Sequence, residues 1–89
     1  MQLRIRLSVA AEKFSAHLSQ TDEKLYNIIK SHILKLPEVY KTDPFLKGSD
    51  YKGMRKHRVG DYRIIYRVLH DQLIIYVIEI GHRRDVYDR

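Results

Sequence analysis

The sequence predicts an α+β fold of element order β-α-α-β-β-β: a small, twisted, antiparallel-rich sheet with a two-helix hairpin packed on one face. Three observations predict it. Residues 2–8 alternate apolar and cationic, as a strand buried on one side does. Residues 9–36 repeat apolar positions at helical spacing, broken once at Ser19-Gln20-Thr21-Asp22. Residues 53–80 return to the period of a strand, in runs separated by turn residues.

Taken in order, Leu3, Ile5 and Leu7 face one way and Arg4 and Arg6 the other, which fits a strand at a sheet edge. Ser8 caps a short helix over residues 9–18 whose apolar side is Ala11, Phe14 and Leu18. A second helix follows to about Leu36, with Leu25, Ile28, Ile29, His32, Ile33 and Leu36 on one stripe, and Pro37 is expected to end it. Residues 38–53 form a polar connection pinned by the Phe45-Leu46 pair. A β-hairpin then turns at Val59-Gly60-Asp61, since glycine supplies the positive φ of a tight turn. His70-Asp71 is expected as a two-residue turn into a last strand over residues 72–80. That strand is apolar on both faces and so central in the sheet, and Gly81 bends the chain after it.

At 89 residues the chain holds one domain, 1–89, with one modest core burying roughly 60–65% of the unfolded surface. The 44% hydrophobic content separates it from disordered chains. It has no cysteine, which excludes disulfides and thiolate metal sites. With no charged-then-apolar leader and no long apolar run, it reads as cytoplasmic, with no membrane partner. The net charge of +6 favours an anionic partner.

That charge is concentrated. Lys47, Lys52, Arg55, Lys56, Arg58, Arg63 and Arg67 face only Asp50 and Asp61 in the same stretch. Along residues 62–68, Tyr62, Ile64, Tyr66 and Val68 share one strand face and Arg63, Ile65 and Arg67 the other. Such a basic face is either solvated or a surface for nucleic acid; interleaved tyrosines and arginines suit unstacked single-stranded bases. The tail His82-Arg83-Arg84-Asp85-Val86-Tyr87 likewise has two readings. Either it surrounds a phosphate, with Arg83 offering a planar fork and Tyr87 a phenol acidified by nearby cations, or Tyr87 anchors the chain end. The histidines His17, His32, His57, His70 and His82 show no metal-binding spacing; His32 fits a core position and His70 a turn, so no metal or cofactor is expected. Glycine-rich phosphate loops and nucleophile elbows are absent, which removes nucleotide hydrolysis and acyl transfer.

Leu46-Lys-Gly48, Arg58-Val-Gly-Asp-Tyr-Arg-Ile-Ile-Tyr66 and Ile80-Gly-His-Arg-Arg-Asp-Val-Tyr87, in that order, resemble the RelE/ParE superfamily of toxin–antitoxin proteins. The Gly-His-Arg-Arg-x-x-Tyr ending is similar to the RelE branch, whose members cleave messenger RNA in the ribosomal A site. The resemblance implies a RelE-like domain and a metal-independent endoribonuclease leaving 2′,3′-cyclic phosphate and 5′-hydroxyl ends. It implies Lys56 as an active-site lysine, Arg63 as a phosphate-binding arginine, Arg83 as stabiliser of charge at the scissile phosphate, and Tyr87 as activator of the ribose 2′-hydroxyl. Lys47, Lys52, Arg58, Arg67, His82 and Arg84 complete the expected RNA-binding surface. The implied partners are the ribosome, mRNA and a cognate antitoxin, held in a toxin–antitoxin hetero-oligomer. One departure stands out: relatives often carry a further lysine two residues before Lys56, where this chain has Met54, so the general acid is not assigned. The alternatives are a ParE-like inhibitor of DNA gyrase and a basic RNA-binding module without catalysis.

Overall fold

In the computed structural model, which describes residues 2–82, strand β1 (Arg4–Leu7) leads into helices α1 (Val9–Thr21) and α2 (Glu23–Val39). Strands β2 (Met54–Val59), β3 (Tyr62–Leu69) and β4 (Ile74–His82) follow. They form one sheet in the order β1-β4-β3-β2, antiparallel from β2 to β4, with β1 parallel to β4 at the edge. The helical hairpin lies on one face. Its Ala11, Leu18, Ile29, Ile33 and Leu36 share a core with Ile64, Tyr66, Ile75, Val77 and Ile80 of the sheet. Each such buried large side chain contributes roughly 1.5–3 kcal/mol by leaving water.

The caps follow from the sequence. Ser8 accepts from the amide of Ala11 at 3.0 Å and Asp22 from that of Leu25 at 3.1 Å, so each satisfies an otherwise orphaned donor at a helix start. Gly60 has φ +59 between β2 and β3, a conformation that L side chains resist. Ser8 also acts at long range. Its amide donates to the Val77 carbonyl at 2.8 Å and its hydroxyl to the Ile78 carbonyl at 2.6 Å. There the pairing of β3 with β4 shifts: Ile65 faces Glu79, but Tyr66 faces Val77. Ile78 is therefore the extra residue of a β-bulge, and Val77 and Ile80, three apart, both reach the helix side.

Three boundaries differ from expectation. Pro37 does not end α2, which runs to Val39 and hands over to a 3-10 turn at Tyr40–Thr42. Proline forfeits one bond to the carbonyl four residues back, but so near the helix end buried Leu36 and the packed Val39 and Tyr40 outweigh that loss. The β3–β4 connection is a 3-10 turn, His70–Gln72, closed by Leu73 at φ 56 and ψ 45. Leucine is unusual in this left-handed conformation, and the Leu73 carbonyl is used by the amide of Arg4 at 2.9 Å. Finally, Gly81 does not bend the chain: it is buried in β4 opposite Arg63, and the strand continues to His82.

Candidate functional site

The register of β2 against β3 sorts the basic hairpin onto two faces. Arg55 pairs with Tyr66, His57 with Ile64 and Val59 with Tyr62; because Ile64 and Tyr66 are in the core, this is the helix face. Met54 pairs with Arg67, Lys56 with Ile65 and Arg58 with Arg63 on the open face. There Lys56, Arg58 and Arg63, with Asp43 and Pro44, line a cavity of about 220 Å³. Ile65, only 3% exposed, lies opposite Lys56 and sets a buried apolar side chain beside it. Burial first, then the positive charges of Arg63, Arg58 and Lys47, hold the Lys56 ammonium below the ordinary lysine value. A lysine tuned downward among fixed cations is suited to proton transfer beside an anion.

The expected site residues do not all gather. Lys47 is exposed at the end of the connection and acts on Lys56 through its charge. Arg67 donates to the Lys52 carbonyl at 2.9 Å, and a Cβ on Gly53 (φ +79) would lie 3.6 Å from its Nε. Lys52 and Arg67 thus stabilise the turn entering β2 and stand outside the cavity lining. His82 pairs with Tyr62 on the helix face, their rings edge-on with centroids 5.4 Å apart, away from Lys56. Arg83, Arg84 and Tyr87 lie outside the described residues.

A second constellation escaped the sequence because its members are distant in the chain. Asp43 Oδ2 accepts from the Tyr66 hydroxyl at 2.6 Å and lies 2.9 Å from His57 Nδ1. His57 Nε2 in turn lies 2.9 Å from Nδ1 of His32 on α2. His32 is thus half-buried and satisfied, but by another histidine. Burial first, then the charges of His57 and Lys35, hold it below the ordinary 6.5. Burial, the hydrogen bond to Asp43 and that carboxylate's charge push the Tyr66 phenol well above its ordinary value, against Arg55. Arg55 is committed elsewhere: its guanidinium donates to the Asp43 carbonyl at 2.9 Å and covers the Phe45 ring at 4.0 Å. The sequence carries no spacing signal for this constellation, because the bridge of Phe45 to Arg55 is what sets Asp43 beside His57. Among the described residues no three histidine or acidic side chains gather as metal ligands, and no helix is long and apolar enough to cross a membrane.

Fold and site define a small basic α+β protein with a tuned lysine and two arginines on the open face of its sheet. Residues 5–87 match the family model of the ParE toxin of type II toxin–antitoxin systems, parDE, and the chain belongs to that family. The toxin–antitoxin complex RelBE2 from Mycobacterium tuberculosis is similar in structure, with TM-score 0.78 and 16% identity over 93% of this chain and 100% of that one. The YoeB/ParE toxin from Agrobacterium tumefaciens gives 0.77 and 19% over 90% and 98%. YafQ from E. coli gives 0.69 and 26% over 97% and 99%. No curated protein matches. Membership in a type II toxin–antitoxin family implies a cognate antitoxin as partner.

Proposed function

We propose that this toxin is a ribosome-dependent endoribonuclease of the RelE type, which cuts mRNA in the A site and so stops translation. The observation that carries the reading is the lowered Lys56 in one cavity with Arg58 and Arg63. A lysine whose proton is loosened beside two fixed guanidinium groups is suited to proton transfer at a phosphate. In the proposed reaction the ribose 2′-oxygen loses its proton and attacks the adjacent phosphorus. The bond to the 5′-oxygen breaks, and that oxygen takes up a proton. A 2′,3′-cyclic phosphate and a 5′-hydroxyl result, with no water consumed and no metal required. Arg63 and Arg58 are suited to the developing charge on the phosphorane, and Lys56 to delivering the proton to the leaving oxygen. Tyr87 is the proposed base and Arg83 a further charge-stabilising fork.

The family match by name favours one second reading, a ParE-like inhibitor of DNA gyrase. Both are tested together by incubating the toxin with programmed ribosomes in EDTA, mapping new 3′ ends, and running gyrase supercoiling in parallel. Cleavage that falls by about 10²–10⁴-fold in folded Tyr87→Phe supports the nuclease. Gyrase inhibition without cleavage refutes it.

The antitoxin is proposed to be acidic where it docks. The groove between β1 and the helices, about 290 Å³, is lined by Ile5, Leu7, Phe14, Leu18 and Ile33. Leu34 stands 60% exposed at its rim, with Lys30 beside it and Arg4 and Arg6 exposed on the edge strand. An apolar segment carrying carboxylates, folding as it binds, matches that surface.

A further inference from the structure

Residues 43–46 run as a strap beside the outer edge of β2, and every one of them is tied down. Asp43 is held through its carboxylate by Tyr66 and His57 and through its carbonyl by Arg55. The Pro44 carbonyl accepts from the Lys56 amide at 3.1 Å. Phe45 bridges to Arg55 and lies against its guanidinium. The Leu46 amide donates to the Met54 carbonyl at 2.9 Å, and its side chain is buried. Asp43 and Pro44 also wall the cavity that holds Lys56, Arg58 and Arg63. The strap therefore fixes the backbone of Lys56 and shapes the space in front of it.

Proton accounting gives the hydrogen bonds behind Asp43 a direction. A carboxylate only accepts, so the Tyr66 hydroxyl and His57 Nδ1–H both donate to it. Neutral His57 then has a lone pair on Nε2, which accepts from His32 Nδ1–H. One added proton fits, because His57 then donates from both nitrogens and His32 accepts at Nδ1. A second proton does not fit: both rings would present N–H groups 2.9 Å apart. The groups facing the pair are Lys35 from α2, Arg55 from β2, Tyr66 from β3 and Asp43 from the strap.

We propose that Asp43, oriented by Tyr66 and by the His57–His32 relay, is a positioning residue for the proposed cleavage. It holds the strap that fixes Lys56 and walls the cationic cavity, and it holds it only while the histidine pair carries at most one proton. The catalytic part of this inference rests on the nuclease reading; the clasp itself does not. Burial and the charges of His57 and Lys35 on His32 oppose the second proton, so acid must open the pair to load it.

The test combines amide hydrogen exchange with single-turnover cleavage, each from pH 7.5 to 5.5, on wild type, Asp43→Asn and His32→Asn. Asparagine at 32 keeps a donor near the Nδ1 position but takes no proton. In wild type the Leu46 and Lys56 amides should lose protection, corrected for intrinsic exchange, by up to about tenfold per pH unit, while the Ile64 and Val77 amides hold. His32→Asn should remove this pH dependence, and the cleavage rate, normalised to its own value at pH 7.5, should flatten with it. Asp43→Asn should lose strap protection throughout and slow cleavage by about 10–100-fold with ribosome affinity retained. Wild-type protection that ignores pH, or an Asp43→Asn variant with wild-type protection and rate, overturns the proposal. Absence of cleavage by wild type overturns the nuclease reading and the catalytic role of Asp43, while exchange still decides whether the relay clasps the strap.

Discussion

Tyr66→Phe isolates one bond in this network. The ring is fully buried and phenylalanine fills nearly the same space, so packing changes little. What is lost is the 2.6 Å hydrogen bond to a half-buried carboxylate. Hydrogen bonds to charged groups contribute about 1.5–3 kcal/mol, and Asp43 retains His57 as a donor, so the expected loss is about 2 kcal/mol. For a domain of this size each kcal/mol lowers Tm by roughly 4–8 °C, giving a drop of roughly 8–16 °C. The measurement is urea and thermal unfolding followed by circular dichroism. The phenol also leaves a pH signature. Its native pKa is raised, so its contribution is complete below the ordinary 10.0, where both states keep the proton. Above that value the unfolded state ionises first and stability declines as pH rises. Tyr66→Phe should remove this part of the alkaline decline. A loss below about 0.5 kcal/mol, with the alkaline limb unchanged, would refute the geometry on which the clasp is built.

Lys56→Ala should lower the single-turnover cleavage rate by about 10²–10⁴-fold, and Lys56→Arg should restore ribosome binding more than rate, since arginine keeps charge but not an easily released proton. Filter binding of RNA should weaken steeply with salt, because Lys56, Arg58 and Arg63 displace counterions; a flat response between low and physiological salt would remove the open face as the binding surface. Pro37→Ala restores a donor inside the last turn of α2 and should stabilise the fold by about 1–2 kcal/mol in urea unfolding, whereas destabilisation would show that the proline shapes the Tyr40–Thr42 turn.

Where a local pattern and the tertiary structure ask for the same thing, the sequence was readable. Alternation in β1, the stripe of α2, Ser8 and Asp22 as caps, and Gly60 as the hairpin turn all appear where their chemistry places them. Arg63 and Ile65 leave the helix face as their period demands. The misreadings arise where the two disagree. Pro37 is a local stop signal overruled by burial of its neighbours, and Leu73 adopts a conformation for which its side chain gives no warning. The structure places Lys52, Arg67 and His82, expected on the RNA-binding surface, outside the lining of the Lys56 cavity, with Arg67 on the Lys52 carbonyl and His82 beside the Tyr62 ring. Asp43 and His57, fourteen positions apart, cannot be joined by any spacing rule; only the strap along β2 makes them neighbours.

The bulge at Ile78 means that β4 is two strands in different phase, spliced by one residue. Upstream, odd-numbered side chains face the helices; downstream, even-numbered ones do, as Val77 and Ile80 show. Closing the bulge with Ile78 kept, so that Ile78 faced Ile65, would therefore not be harmless. It would turn the polar Glu79 toward the helices and Ile80 away from them, and would move Gly81 from its place opposite Arg63. The clamp that keeps this splice open is the Ser8 hydroxyl, seventy positions away at the start of the chain. A conservative-looking change near the N-terminus thus bears on the far end of β4: Ser8→Ala removes no charge and little volume, yet it unlocks the residue that sets the phase from Glu79 to His82.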